Sequence, residues 1–431
     1  MFRFKKRKRS RVLVIGLDGV PYGMIADLAG RGVMPAMARL IASGRLHKMK
    51  ASLPEISAVS WSNFMTGRNP GTHGIFGFTD FKPGSYEVRY PNSLDLRAPA
   101  IWDTLGGKGR RSIVINQPST YPARPINGVL ISGFVAIELA KAVHPLSYRA
   151  ALEKMDYRVD IDTLKSREDH EFLWRELIGT MAGHEKALDL LWGEPWDYFE
   201  FVITGTDRLH HFLWSAYADA SHPFHDRFLE YYRRADRVIE RLATSFRKES
   251  GSDAGLYLLS DHGFTGIVAE VHLNAWLEQN GYLRFIDTSR RGLEDIASGT
   301  RAFALDPNRI YLNLKDRFPH GGVEASERAA LREEIAGKLA GLTHDGRKVV
   351  KRVFRSEEVY SGPLAGKGPD LIVLGEPGFD MKGSVKRQEI FGRSALQGMH
   401  TWDDAFFWAA ADHGPDLAIE DIAGIILRHF A

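Results

Sequence analysis

Unbroken apolar runs alternate with longer stretches of helical spacing along the first 260 positions. Residues 11–17, apolar from Val12 onward, close on Asp18-Gly19, which is the pattern of a buried strand entering a turn. Further strands are predicted at residues 111–116, 128–134, 196–203 and 255–259. Between them the spacing predicts helices over 22–31, 34–43, 101–105, a long amphipathic one over 169–191, one opening at Asp207, and one over 226–246. Strands alternating with helices predict an α/β layered fold whose sheet is mostly parallel and flanked by helices.

After Phe264 the texture changes. Residues 288–300 are polar and irregular, 309–314 resemble a strand and 327–342 a helix. Residues 369–374 and 405–411 are expected to return to the core sheet as strands, and 418–430 to close the fold as a helix. A chain of 431 residues exceeds a single ordinary core. The expected organisation is therefore a basic tail over 1–10, a core built from 11–264 and 365–431, and an inserted lobe over 265–364.

The net charge of +3 conceals an asymmetry. Seven of the 57 basic residues (Arg3, Lys5, Lys6, Arg7, Lys8, Arg9 and Arg11) sit in the first eleven positions, and the remaining 50 face 54 acidic side chains. The body is mildly acidic and the tail strongly basic, either a solvated segment or an electrostatic tether to an anionic surface. The apolar run from Val12 meets Asp18 too early for a secretory signal, and no run approaches the ~20 residues of a membrane span. No cysteine is present, which excludes disulfides, thiolate metal sites and a cysteine nucleophile. A cytoplasmic setting, peripheral to the inner face of a membrane through the tail, is the expectation.

Function in open α/β sheets gathers at the carboxyl ends of strands. Three predicted strands there run into Asp18, Asp207 and Asp261. Asp207 and His211 are four apart and share one helical face, whereas His210 points about 100° away. Asp261 and His262 are adjacent beyond a strand end, and His400 lies far along the chain in Gly-Met-His-Thr-Trp. Residues 52–78, SLPEISAVSWSNFMTGRNPGTHGIFGF, are rich in hydroxyls and glycine. A serine there needs a base or a metal ion to become a nucleophile. Neither a Gly-x-Ser-x-Gly elbow nor a phosphate-binding P-loop pattern is found, and no nucleic-acid motif is recognised.

Taken together, Val14-Ile-Gly-Leu-Asp-Gly19, Ser57 through Gly67, Asn69-Pro-Gly-Thr-His-Gly-Ile75, Thr206-Asp-Arg-Leu-His-His211, Ser260-Asp-His-Gly263, Pro369-Asp-Leu-Ile-Val373 and His400 resemble the alkaline phosphatase superfamily. The branch they resemble is type I phosphodiesterase/nucleotide pyrophosphatase, and within it the predicted phosphohydrolase/phosphomutase group. The resemblance implies two divalent metal ions, zinc foremost with manganese as the alternative. One would be held by Asp18, Asp261 and His262, the other by Asp207, His211 and His400. It implies Ser57 as nucleophile, counted back from Thr66-Gly67 in preference to Ser60 or Ser62, with Thr66 and His73 in structural roles. The implied activity is hydrolysis of a small-molecule phosphoester through a phosphoserine. A phosphomutase on the same fold, or a non-catalytic metal-binding or membrane-tethered protein, are the alternatives. Nucleotide pyrophosphatases carry an asparagine where Phe78 stands here, so the non-bridging phosphoryl oxygens need another donor. Asn116, Lys315, Arg317 and Lys367 are the candidate substrate contacts. Sulfatases differ, because Ser57 is followed by Ala-Val-Ser-Trp and not by a Pro-x-Arg pattern.

Overall fold

The computed structural model describes residues 10–431, so all of the expected basic tail except Ser10 lies outside the described residues. Five apolar strands, each fully or almost fully buried, form the parallel centre of a nine-stranded sheet. In spatial order these are Leu256–Leu259, Val12–Leu17, Tyr198–Ile203, Ser112–Gln117 and Gly128–Ser132. Burial on both faces is what makes such strands read as continuous apolar runs. Ala405–Ala409 adds to one side antiparallel, followed by Arg45–Lys50 and Leu417–Ala418. Val143–His144 ends the other side, antiparallel to its neighbour.

Helices cover both faces. Tyr22–Gly30, Pro35–Ser43, His170–Trp192 and His225–Ser250 pack one face through Leu28, Met37, Leu177 and Ile239. Ser57–Thr66, Ile101–Gly106 and Asp421–Arg428 pack the other through Trp61, Ile101 and Ile426.

A second layer has its own core. Its four-stranded antiparallel sheet runs Ala302–Leu305, Arg309–Leu312, Leu371–Gly375, Val350–Arg355, with Arg328–Ala340 packed against it. Phe379–Lys382, Ala269–His272 and Phe391–Gly392 make a further small sheet. The strand expected to return to the central sheet at 369–374 instead pairs with Arg309–Leu312 and Val350–Arg355. A fully buried apolar strand carries no mark of which sheet it joins, and the expected boundary at 364 falls inside this second sheet. Phe81 and Tyr86, from the first part of the chain, also pack in the second core against Phe303 and Phe318. Among the described residues no helix is long and apolar enough to cross a membrane.

Candidate active site

Three adjacent parallel strands deliver the acidic residues to one place. Val12–Leu17 ends at Asp18, and its two neighbours in the sheet lead into Asp207 and Asp261. Gly19 turns the chain away at φ +66, a conformation that disfavours a Cβ, and its amide donates to Asp261 Oδ1 at 3.0 Å. The helix Gly205–Ala218 starts two residues before Asp207 and sets His211 four residues on, with Nε2 3.4 Å from Asp207 Oδ1. His400 arrives on Gly398–Thr401, which pairs antiparallel with Gly263–Gly266 in the register Phe264 opposite His400. Its Nε2 stands 3.2 Å from Asp207 Oδ1 and 3.1 Å from His211 Nε2.

The imidazoles are oriented as ligands. His262 Nδ1–H donates to Gly263 O at 3.0 Å, His211 Nδ1–H to Gly398 O at 3.0 Å, and His400 Nδ1–H to Glu55 O at 2.8 Å. A carbonyl can only accept, so each ring keeps its proton on Nδ1 and presents Nε2 inward. Asp207 Oδ1 and Asp261 Oδ2 are buried without a hydrogen-bond partner. Ligand atoms of Asp18, Asp261 and His262 lie within 4.8 Å of one another, and so do those of Asp207, His262 and His400. Buried orphan carboxylate oxygens facing imidazole lone pairs are a donor set that fits divalent cations.

Ser57 opens the helix Ser57–Thr66 between these groups. Its hydroxyl lies 3.0 Å from His262 Nε2 and 3.3 Å from Asp18 Oδ1. Ser60 turns away to Ser52 at 2.8 Å, and Ser62 bonds back to Ala58 O at 2.7 Å. Thr66 donates to Ser62 O. His73 donates through Nε2 to Asn63 Oδ1 and accepts from the Ile75 amide, so both are structural groups.

The charges are far from their ordinary balance. Burial, then Asp261 and Asp207, hold the Asp18 carboxyl well above the usual range. Burial likewise pushes Asp261 up to about 7. For Asp207 burial is outweighed by His211, His400 and Arg208, which hold it well below its ordinary value. Burial depresses His262 strongly and His211 to about 3. Desolvation disfavours the charged form of each group, and only at Asp207 do the neighbouring cations override it.

Several residues that the sequence left without a role complete the site. Trp61 Nε1 donates to Asp18 Oδ2 at 3.2 Å; it lies four residues after Ser57, a spacing legible only once that segment is known to be helical. Arg208, between Asp207 and His211 on the same helix, joins Asp207 Oδ2 at 2.8 Å to Asp160 at 2.7 Å. Thr206 Oγ1 donates to Asp18 O, and His210 bridges Gly19 O and the Tyr232 hydroxyl.

The candidate substrate contacts do not gather at this site. Asn116 is fully buried, its amide donating to Val202 O and accepting from the Tyr157 hydroxyl. Lys315 pairs with Glu324. Arg317 donates to the carbonyls of Lys367 and Gly368 and lies 3.6 Å from Asp370. Lys367 itself is exposed at the end of the short turn Ala365–Lys367. Phe78 packs against Phe134, whose ring lies under the Arg208 guanidinium.

The family model for type I phosphodiesterase/nucleotide pyrophosphatase matches residues 12–403. Among curated proteins none matches. Among solved structures, phosphonoacetate hydrolase from Sinorhizobium meliloti 1021 in complex with phosphonoformate superposes with a TM-score of 0.63 at 17% identity, covering 98% of this chain and 96% of that one. Murine ectonucleotide pyrophosphatase/phosphodiesterase 5 in complex with AMP gives 0.57 at 13% identity, covering 98% and 95%. The human form of the latter gives 0.55 at 13% identity, with the same coverage. At these identities the superpositions establish an alkaline phosphatase-like fold, and the family model carries the assignment. The chain belongs to the type I phosphodiesterase/nucleotide pyrophosphatase family and is a phosphoric ester hydrolase.

Proposed function

We propose that the chain hydrolyses phosphoric mono- or diesters with Ser57 as nucleophile between two divalent cations, zinc in preference to manganese. The observation that carries this reading is the Ser57 hydroxyl at 3.0 Å from His262 and 3.3 Å from Asp18, in the first turn of a buried helix. Asp18, Asp261 and His262 would hold one cation, and Asp207, His211 and His400 the other. When bound, the pair would supply Lewis acidity that favours the serine alkoxide and polarises a phosphoryl oxygen. The mixed imidazole and carboxylate donors favour zinc.

Ser57 Oγ attacks phosphorus and gives up its proton to solvent, the Asp18 carboxylate beside it being kept as a cation ligand. The bond from phosphorus to the leaving oxygen breaks on the opposite side, and that oxygen takes up a proton from solvent. Water then cleaves the phosphoserine ester and restores Ser57. The Ser57 and Ala58 amides at the start of its helix offer N–H groups to the phosphoryl oxygens, whereas those of Val59 and Ser60 are taken up by Ile56 O. The second layer, which places Asn308, Asp380 and Lys382 beside His211 and His400, serves as the substrate lid.

Turnover of aryl phosphate mono- and diesters by wild type and Ser57→Ala tests the reading. The variant is expected to lose roughly 10³-fold or more in kcat, and a chelator to abolish wild-type turnover. Wild-type rates in Ser57→Ala would place the nucleophile elsewhere. From its charge alone, we also propose that the basic tail tethers the chain to an anionic surface. Co-sedimentation with anionic vesicles that survives removal of residues 1–9 would refute the tether.

A further inference from the structure

We infer that the organic group esterified to phosphorus is polyhydroxylated, a polyol or a sugar, and that Asn308, Glu55 and Asp380 accept its hydroxyls. The inference rests on the phosphoester reading and specifies the substrate class at the same site.

A cavity of about 80 Å³ opens beside His211 and His400, and Glu55, Asn308, Asp380 and Lys382 line it. Asn308 is fully buried. Its Nδ2 donates to Glu55 Oε2 at 2.9 Å, while its Oδ1 has no hydrogen-bond partner. A buried amide oxygen without a donor is costly, and Asn308 is among the residues that line the cavity, so the missing donor is assigned to the ligand. Asp380 and Lys382 are two apart on the strand Phe379–Lys382, hence on one face, and lie 2.6 Å from each other across their ion pair. The wall thus offers three acceptors and one ammonium donor. A hydroxyl, which both donates and accepts, fits that set. Met381 and Met399 add apolar surface for C–H faces, and no Phe, Tyr or Trp lines the cavity to stack a nucleobase.

Room for more than three carbons exists. Lys382 also lines a neighbouring cavity of about 280 Å³, where Arg167 and Arg387 stand. An open-chain polyol fills the first cavity, and a sugar ring reaches the second.

The test uses zinc-loaded Ser57→Ala and calorimetric titration with glycerol 3-phosphate and propyl phosphate, which differ by two hydroxyls. Glycerol 3-phosphate is expected to bind at least about tenfold more tightly, because a site built for hydroxyls leaves its own polar groups unpaired against the deoxy ester. Equal affinity, a preference for propyl phosphate, or binding of neither overturns the inference. Glucose 6-phosphate is the second arm. Tighter binding than glycerol 3-phosphate assigns the hydroxyls to a ring, weaker binding assigns them to an open chain, and either keeps the acceptor wall. In wild type, Asn308→Ala is expected to shrink the ratio of kcat/KM between the two linear esters by about tenfold, mainly through KM; an unchanged ratio overturns the role of Asn308. Should that variant not fold, the Ser57→Ala titrations still decide. Wild-type turnover of p-nitrophenyl phosphate separates the two failures. If it is hydrolysed while the linear esters bind alike, the hydrolase reading stands and the inference falls. If neither it nor bis(p-nitrophenyl) phosphate is hydrolysed while glycerol 3-phosphate is preferred, the hydrolase reading falls and only the hydroxyl-accepting wall stands.

Discussion

Replacing Asp261 by asparagine is expected to change sign with metal content. In the metal-free fold the Asp261 carboxyl sits buried with Oδ2 unpartnered, and burial lifts its pKa from 3.8 to about 7. The folded state therefore holds the proton more tightly than the unfolded chain. Stability from this group is full below pH 3.8 and is lost as pH rises to about 7. By pH 8 the penalty is on the order of 4 kcal/mol. The side-chain amide of the Asp261→Asn variant would keep the acceptor for the Gly19 N–H and remove the charge, so without metal the variant is the more stable. With metal the order inverts, because a neutral amide is a poor ligand. Losing one site occupied at about a hundred times its Kd costs about 2.7 kcal/mol. A chain of this length has an unfolding entropy of about 0.9 kcal/mol/K. The expected changes in Tm at pH 8 are thus roughly +4 °C in chelator and about −3 °C in excess zinc. Calorimetric scans of both proteins under both conditions measure them. An equal fall in Tm with and without metal would mean that Asp261 is a structural residue only, and would refute the charge argument.

Two further outcomes test the scaffold. Gly16→Ala would place a Cβ 2.6 Å from the Trp61 ring, so the indole must shift off Asp18. A loss of about 1–3 kcal/mol in denaturant unfolding, with reduced kcat, is expected, and unchanged kcat would show that the Trp61 bond does not hold Asp18 in place. Burial lowers His73 to about 3 and His184 to about 4, so both stay neutral in the fold while the unfolded chain takes up protons below about 6.5. Their contribution is complete above pH 6.5 and falls by about 1.4 kcal/mol per pH unit for each histidine on acidification toward pH 4. His184→Gln should remove one proton from that slope, and an unaltered slope between about pH 7 and 5 would exclude His184 from the acid sensitivity.

The order of residues along the chain was enough to fix the layered α/β class, the strand ends at Asp18, Asp207 and Asp261, and the i, i+4 pairing of Asp207 with His211. These are local: an apolar run, a turn residue after it and a helical spacing are all written within about ten positions. Folding in three dimensions was needed to make the three strands neighbours in the sheet, and to set His400 opposite Phe264 on a short antiparallel pair, 3.2 Å from Asp207. It was needed too for the helix Ser57–Thr66, whose residues are buried through Met65 and so carry no polar face to reveal a period. The same holds for the strand Leu371–Gly375, expected in the wrong sheet because an apolar strand buried on both sides looks alike in either. Arg208, Trp61 and Asn308 act through partners distant in the chain, and a pairing of that kind has no period, spacing or composition by which a single sequence could announce it.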